Sequence, residues 1–299
     1  MTIHKDHQTI FPDRELRSLQ NTGNRQPMQA SFPELSSEYV VSAEMRERFN
    51  RDGHIFIPGL ATSGEAAVYR PFITGAADRH KTETRPLEER DTYGKAFLQI
   101  MNLWTKDEGV RRFSFSRRFA RVAAELMGIP GVRMYHDQAL YKEPGGGPTP
   151  FHQDQYYWPL SSDRTITMWM PLTPVTEEVG SMTFVTGSHR MGFLGDLPIS
   201  DRSDAAFREF IAARGLTTRS YGAMNPGDAT FHAGWMLHGA PGNPTGATRE
   251  VMTIIYMASD IRVIEPDNPN READLAAWLP GCKPGDPAAS ELNPILWGI

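Results

Sequence analysis

The chain has 299 residues, of which 39% are hydrophobic, 22% charged and 10% aromatic, so it can bury one large core or two small ones. Its 31 basic and 36 acidic residues give a net charge of −5, which argues against nucleic acid as a partner. The single cysteine, Cys282, excludes a disulfide framework and a cysteine-rich zinc site, so a transition metal would need histidines and carboxylates as ligands.

Residues 1–38 are polar and irregular in pattern, which predicts an irregular N-terminal arm. The arm lacks the apolar stretch of a secretory signal, and the chain has no run of about 18 apolar residues that would span a membrane. We therefore expect a soluble, cytoplasmic protein without a membrane partner. The sequence leaves open whether the arm packs over the body or joins copies of the chain in a homo-oligomer.

The part of the chain after the arm has the capping residues and apolar spacing of helices. We expect a helix from Ser42 to Asn50, a strand over His54–Ile57, a helix over 64–80, and a helix that begins at Thr105 or Asp107 and stops at Gly128.

From residue 132 the pattern changes to short runs of β-forming residues, separated by clusters of Gly, Pro, Asn and Asp. These runs are Val132–Tyr135, Ala139–Lys142, Thr165–Leu172, Ser181–Val185, Ala229–Phe231 and Val251–Ala258. Their spacing favours an antiparallel sandwich or barrel over alternating strands and helices. Residues 39–299 are therefore predicted to form one mainly β domain with flanking helices and a helical insertion near 196–215.

The first candidate metal ligands are His152 and Asp154. On a regular strand, residues two apart point to the same face, so both side chains could reach one ion. By itself the pair is weak evidence, because a hydrogen-bonded pair at a strand end has the same spacing.

His238 and Arg249 strengthen the prediction. His238 lies before a turn rich in Gly and Pro, and Arg249 opens the last long β run. A buried cation needs an anionic partner, and a dicarboxylate held by the guanidinium group would fit. Two histidines and one carboxylate on one side of a metal are typical of non-haem Fe(II) oxygenases. The alternatives are a buried structural histidine and an ordinary ion pair.

Several segments together resemble the phytanoyl-CoA dioxygenase family of Fe(II)/2-oxoglutarate oxygenases, from about residue 40 onwards. The matching segments are Arg48–Leu60, Lys142–Gly145, His152–Pro159, Thr167–Trp169, Gly180–Phe184, Gly187–His189 and His238–Asn243 with Arg249. The resemblance implies a double-stranded β-helix core, that is, a jelly roll of the cupin-like kind. It also implies Fe(2+) as the cofactor, with 2-oxoglutarate and O2 as co-substrates.

The resemblance also implies residue roles. His152, Asp154 and His238 would be the iron ligands and so the catalytic residues, and Arg249 would anchor the distal carboxylate of 2-oxoglutarate. Further candidates for contacting the co-substrate are Trp169, Thr167, Gln138 and Gln99. For Trp169 and Thr167 the alternative is core packing, and for the two glutamines it is hydrogen bonding to backbone groups.

The substrate pocket is predicted to contain an aromatic wall of Tyr156, Tyr157 and Trp158. His232 is expected to line this pocket without being a ligand. The substrate would be a small natural product, an amino-acid derivative or a lipid-like molecule, since no basic cluster suggests coenzyme A.

The reaction that the resemblance implies is hydroxylation with release of succinate and CO2. Halogenating relatives replace the ligand carboxylate with Gly or Ala, whereas this chain has Asp154. Desaturation, cyclisation and epimerisation use the same iron chemistry and stay open. The alternative of another class is a non-oxidative cupin-like protein that binds a metal or ligand, which would have no use for Arg249 as a keto-acid anchor.

Overall fold

The computed structural model describes residues 32–179 and 181–298. Most of the predicted N-terminal arm, with Gly180 and Ile299, lies outside the described residues. The helices are α1 (Ala43–Asp52), α2 (Ser63–His80), α3 (Thr92–Ala96), α4 (Glu108–Ser114), α5 (Arg117–Met127), α6 (Asp201–Ala213) and α7 (Pro269–Trp278). The strands are β1 (His54–Ile57), β2 (Leu98–Met101), β3 (Val132–Lys142), β4 (Thr149–His152), β5 (Thr165–Pro171), β6 (Thr183–Val185), β7 (Thr218–Ser220), β8 (Ala229–Ala233), β9 (His238–Ala240), β10 (Arg249–Ala258) and β11 (Ile295–Trp297).

The strands form two antiparallel sheets, as the predicted jelly roll requires. The larger sheet has the order β1-β8-β5-β10-β3-β11, and β2 also pairs with β3. The smaller sheet has the order β4-β9-β6-β7. Most neighbouring strands are not consecutive in the chain, β2–β3 and β6–β7 being the exceptions, and no parallel βαβ unit occurs among the described strands. The expected fold class, mainly β with flanking helices, is confirmed.

Strand alternation gives the larger sheet two different faces. On β5, Met168 and Met170 are buried with the apolar residues of α2, α4 and α5. Thr167 and Trp169, on the same strand, face a cavity instead. Because successive side chains of a strand point to opposite faces, one sheet both closes the hydrophobic core and presents polar groups to the cavity.

Helix boundaries follow the capping residues, with one difference from the prediction. Ser42 caps α1 by accepting a hydrogen bond from the backbone of Met45, and Gly53 ends it at φ 77°. The single helix expected before Gly128 is two helices, α4 and α5. Ser116 separates them, because its hydroxyl accepts from the backbone N–H of Phe119 and so starts a new helix.

The runs Val132–Tyr135 and Ala139–Lys142, expected to be separate, form one strand, β3. Of the polar residues between them, His136 and Asp137 are buried in the strand rather than placed in a turn. Asp137 accepts hydrogen bonds from the Ser114 hydroxyl at 2.6 Å and from the backbone of Trp104. Since these bonds replace those with water, polar residues can continue a buried strand.

The segment 32–38 packs against the helices. Leu35 belongs to the hydrophobic core, and its carbonyl accepts a hydrogen bond from Ser116. The expected helical insertion contains α6. In the part of the chain that the structure describes, no helix has both the length and the apolar character needed to cross a membrane.

Arg118 on α5 links this segment to the rest of the helical layer. Its side chain is 8% exposed and forms a bidentate pair with Glu65, with N–O distances of 2.9 Å. It also donates to the carbonyl oxygens of Leu60 and Ser37. One guanidinium group therefore neutralises a carboxylate and satisfies two backbone acceptors.

We predict that Arg118→Ala lowers the free energy of unfolding by about 3 kcal/mol, because it leaves Glu65 and two carbonyls without their donor. The control is Arg112→Ala, whose pair with Glu108 on α4 has both side chains more than half exposed. That variant should lose less than about 1 kcal/mol. Urea denaturation measures both values, and equal losses would show that Arg118 acts as an ordinary surface charge.

Candidate active site

A cavity of about 430 Å³ lies between the two sheets. The larger sheet contributes cavity-facing residues from β2, β3, β5, β8 and β10, and the smaller sheet contributes residues from β4 and β9. This volume lies within the range of about 300–1,000 Å³ found for small-molecule sites.

His152, Asp154 and His238 meet at this cavity, and their ligand atoms lie within 4.8 Å of one another. His152 ends β4 and is directly opposite His238, the first residue of β9. The strand stops at His152, and Asp154 opens a 3-10 turn over Asp154–Tyr156. The two residues therefore converge because the chain turns back, and not through the shared strand face that the sequence predicts.

The two imidazoles have the tautomer that metal binding needs. Nδ1 of His152 donates to the carbonyl of Pro150 at 2.8 Å, and Nδ1 of His238 donates to the carbonyl of Met236 at 2.9 Å. Each Nε2 therefore carries a lone pair towards the cavity. Burial, with the neighbouring His152, holds the pKa of His238 well below its ordinary value, so its ring is neutral.

The two carboxylate oxygens of Asp154 have different surroundings. Oδ1 faces Nε2 of His152 at 3.4 Å and Nε2 of His238 at 3.7 Å. Oδ2 accepts hydrogen bonds from the Thr167 hydroxyl at 3.1 Å and from Nε2 of His232 at 3.2 Å. Burial opposes ionisation of Asp154, but the imidazoles, His238 first, outweigh it and hold the pKa of its carboxyl well below the ordinary range.

His232 and Thr167 thus hold the oxygen of Asp154 that faces away from the two ligand histidines. They are opposite each other in the pairing of β8 with β5. His232 lies on β8 and His238 on β9, so the two histidines approach Asp154 from different sheets. Two imidazoles and a carboxylate whose second oxygen is held by hydrogen bonds form the pattern of a supported metal site.

Arg249 lies at the start of β10, as predicted, and is 2% exposed. Its guanidinium carbon lies 5.3 Å from the centre of the Trp169 ring, and both residues line the cavity. Burial lowers the pKa of Arg249 to about 10, so the side chain stays a cation at neutral pH. A cation on an aromatic face is thereby presented to the cavity that holds the histidines.

Lys142 is a residue whose environment the sequence did not reveal. It pairs with Arg249 across β3 and β10, is fully buried, and donates to the carbonyl of Gly147. Burial, and then the charge of Arg249, lower the pKa of Lys142 to about 7. In the sequence, Lys142 is a lysine at the end of a β run next to a Gly-rich loop, and this pattern does not predict its pairing with Arg249.

Gln99 and Gln138 are brought together at the cavity. The amide nitrogen of Gln99 donates to the amide oxygen of Gln138, and Tyr93 donates to Gln99 at 2.7 Å. All three line the cavity. They are hydrogen-bonded to one another through side chains rather than to backbone groups.

The aromatic wall expected from three neighbouring residues consists of two of them. Tyr157, Trp158 and His232 line the cavity. Tyr156 lies outside it, where its hydroxyl donates to Asp196 at 2.6 Å and its ring stacks on Phe193. Tyr156 is the last residue of the 3-10 turn that begins at Asp154, and its side chain leaves the cavity, whereas Tyr157 and Trp158, which follow the turn, face it.

Helix α7 also lines the cavity, which the sequence did not indicate. Asn270, Asp274 and Trp278 face it. Their spacing of four residues is the one signal available, since residues four apart lie on the same face of a helix.

Comparison with known proteins identifies relatives of this site. The model of the phytanoyl-CoA dioxygenase (PhyH) family matches residues 49–251. Methylphosphonate hydroxylase of Gimesia maris is 26% identical over 220 residues, which cover 71% of this chain and 79% of that protein. Ectoine dioxygenase of Stutzerimonas stutzeri is 23% identical over 252 residues, which cover 76% and 80%.

Solved structures share the fold. The alpha ketoglutarate dependent carbocyclase SnoK from nogalamycin biosynthesis superposes with a TM-score of 0.70 at 23% identity, covering 87% of this chain and 99% of that chain. The epimerase SnoN, in complex with Fe3+, alpha ketoglutarate and nogalamycin RO, superposes with a TM-score of 0.68 at 25% identity, covering 85% and 97%.

We predict that Thr167→Val weakens divalent-metal binding by about tenfold, because Asp154 loses one of the donors that orient its carboxylate. The control is Thr165→Val on the same strand, where the hydroxyl donates to Gln155. Competition with a metal-sensitive dye measures both affinities. Equal affinity in wild type and Thr167→Val would mean that this hydroxyl does not orient the ligand.

Proposed function

This chain belongs to the phytanoyl-CoA dioxygenase family of Fe(II)- and 2-oxoglutarate-dependent oxygenases, and on that premise we propose that it hydroxylates a small organic molecule with release of succinate and CO2. The observation that carries the proposal is the placement of His152, Asp154 and His238 in one cavity with Arg249. A metal held by three residues on one side leaves its other positions for co-substrate and O2.

We assign the iron to Nε2 of His152, Nε2 of His238 and Oδ1 of Asp154. The residues fit the ion, because both imidazoles donate through Nδ1 to carbonyl oxygens and the carboxylate is ionised. When bound, Fe(II) supplies the activation of O2 that is coupled to oxidative decarboxylation of 2-oxoglutarate. The protein's part is to keep the donor atoms oriented and the cavity enclosed.

We assign Arg249 to the distal carboxylate of 2-oxoglutarate. Its charge and its fork of N–H donors suit a carboxylate, and the guanidinium group lies over the Trp169 ring. The hydrogen-bonded amides of Gln99 and Gln138 are the polar groups that we assign to the rest of the co-substrate.

Hydroxylation is the proposed outcome because the carboxylate ligand is present in Asp154 and because two relatives bear the names of hydroxylases, of methylphosphonate and of 1-deoxypentalenic acid. The mass of the product distinguishes hydroxylation from the other possible reactions. Hydroxylation adds an oxygen atom, cyclisation and desaturation remove hydrogen, and epimerisation leaves the mass unchanged.

The first test adds Fe(II) and 2-oxoglutarate to the protein without O2. We expect the weak visible absorption band of the iron–2-oxoglutarate chelate, and we expect succinate to form when O2 is admitted. Addition of succinate in place of 2-oxoglutarate is the control and should give no band. If 2-oxoglutarate gives none either, the proposed function is wrong.

A second prediction concerns Arg249→Gln. We expect 2-oxoglutarate affinity to fall on the order of ten- to a hundredfold, as for loss of a charged hydrogen bond, while metal affinity stays within about twofold. Titration of the visible band gives the first affinity and a metal-sensitive dye the second. Arg164→Gln, which removes an arginine paired with Asp260 at the surface, is the control. Equal loss of both affinities would contradict the assigned role of Arg249.

A further inference from the structure

The charges of the cavity indicate which substrates it can accept, and this inference rests on the proposed function. Among the described residues that line the cavity, the charged side chains of the Asp, Glu, Lys and Arg types are Asp154, Arg249 and Asp274. Asp154 is assigned to the metal and Arg249 to the co-substrate. Asp274 is therefore the charge that remains for the substrate.

Asp274 lies on α7, and neutral groups hold its carboxylate. Its Oδ2 accepts a hydrogen bond from the Tyr135 hydroxyl at 3.0 Å, and the Trp278 indole also donates to the carboxylate. The arginine on the same helix, Arg271, is directed elsewhere, since it pairs with Asp267 and donates to the carbonyl of Tyr156. The site thus orients Asp274 and does not neutralise it.

The environment of Asp274 disfavours an isolated negative charge. Burial raises the pKa of its carboxyl to about 7, although the two hydrogen bonds act in the opposite direction. The neighbouring His136 cannot compensate, because burial lowers the pKa of that ring to about 3 and leaves it neutral. A cation placed next to Asp274 would therefore stabilise the ionised carboxylate.

Aromatic side chains surround this end of the cavity. Trp278 packs beside His136, with ring centres 5.3 Å apart, and Trp158 packs beside Tyr135 at 5.4 Å. The other Phe, Tyr and Trp residues that line the cavity are Tyr93, Phe97, Tyr157 and Trp169. Ring faces attract cations, so aromatic walls around a carboxylate are suited to an organic ammonium group.

Asp154 and Asp274 act on the same enclosed space. Burial raises the pKa of Tyr157 to about 12; the charges of Asp154 and Asp274 act in the same direction, and the hydrogen bond with the backbone of Ile199 opposes them. Burial also raises the pKa of Tyr93, and nearby charges, which include both carboxylates, raise it further. A molecule that contacts Asp274 therefore lies in the same cavity as the metal ligands.

We propose that Asp274 binds a protonated amine of the substrate, so that the enzyme oxidises an organic amine rather than a neutral or anionic molecule. The carboxylate pairs with the ammonium group, and the rings of Trp278, Trp158 and Tyr157 enclose the adjoining carbon atoms. Small anions gain no such ion pair, because the carboxyl group of Asp274 offers them no positive charge.

The test uses the complex of enzyme, Fe(II) and 2-oxoglutarate without O2, and it compares ligands that share a hydrocarbon frame. The probes are 2-phenylethylamine, 2-phenylethanol and phenylacetate, together with the amine, alcohol and carboxylate of a cyclohexylethyl frame. Calorimetry or quenching of tryptophan fluorescence measures binding. We expect at least one amine to bind more tightly than its alcohol by about tenfold or more, and the carboxylates to bind most weakly.

Asp274→Asn should remove the preference for the amine and leave the affinity for the alcohol within about twofold. Asp274→Glu should restore part of the preference, because it restores the charge. Glu272→Gln is the matched control, since it removes the same charge from the exposed side of the same helix and should keep the preference.

Two results would overturn the proposal. One is that no amine binds the wild-type complex more tightly than its alcohol. The other is that Asp274→Asn weakens amine and alcohol equally, which would give Asp274 a structural role only. The visible band of the iron–2-oxoglutarate chelate is recorded for every variant. A missing band in the wild type contradicts the proposed function, whereas a band without amine preference contradicts this inference alone.

Discussion

The site depends on the antiparallel pairing of β4 with β9, which places His152 directly opposite His238. Short strands contribute little stability alone, so this pairing needs support from both sides. Phe184 of β6 pairs with His238 on one side, and α6 packs on β4, where Asp204 accepts a hydrogen bond from the backbone of Phe151. With the two imidazoles fixed in this way, a turn of a few residues is enough to return Asp154 to them.

The same arrangement explains why polar residues can occupy the middle of the larger sheet. Thr167 and His232 are nearly inaccessible to solvent, and both donate to Asp154. A buried donor is costly unless it has an acceptor, and an ionised carboxylate is a strong one. The hydrogen bonds that support the ligand therefore also satisfy the strands that carry them, so fold and site stabilise each other.

The sequence was informative where a residue's role depends on near neighbours in the chain. The spacing of His152 and Asp154, the position of Arg249 at the head of a strand and the cap at Ser42 could all be identified in this way. The sequence was not informative where the role of a residue depends on strand register or on a turn. The start of a second helix at Ser116, the outward direction of Tyr156 and the approach of α7 to the cavity follow from contacts between distant segments.

The positive and negative charges at the cavity come from different segments of the chain. Arg249 and Lys142 are paired on β10 and β3, whereas Asp274 comes from the helix near the C-terminus. A dicarboxylate is attracted to Arg249, and an ammonium ion is attracted to Asp274. Two small molecules of opposite charge would thus each have one favourable position in the same space. The charges of Arg249 and Asp274 thereby set the order of the two molecules within one cavity of about 430 Å³.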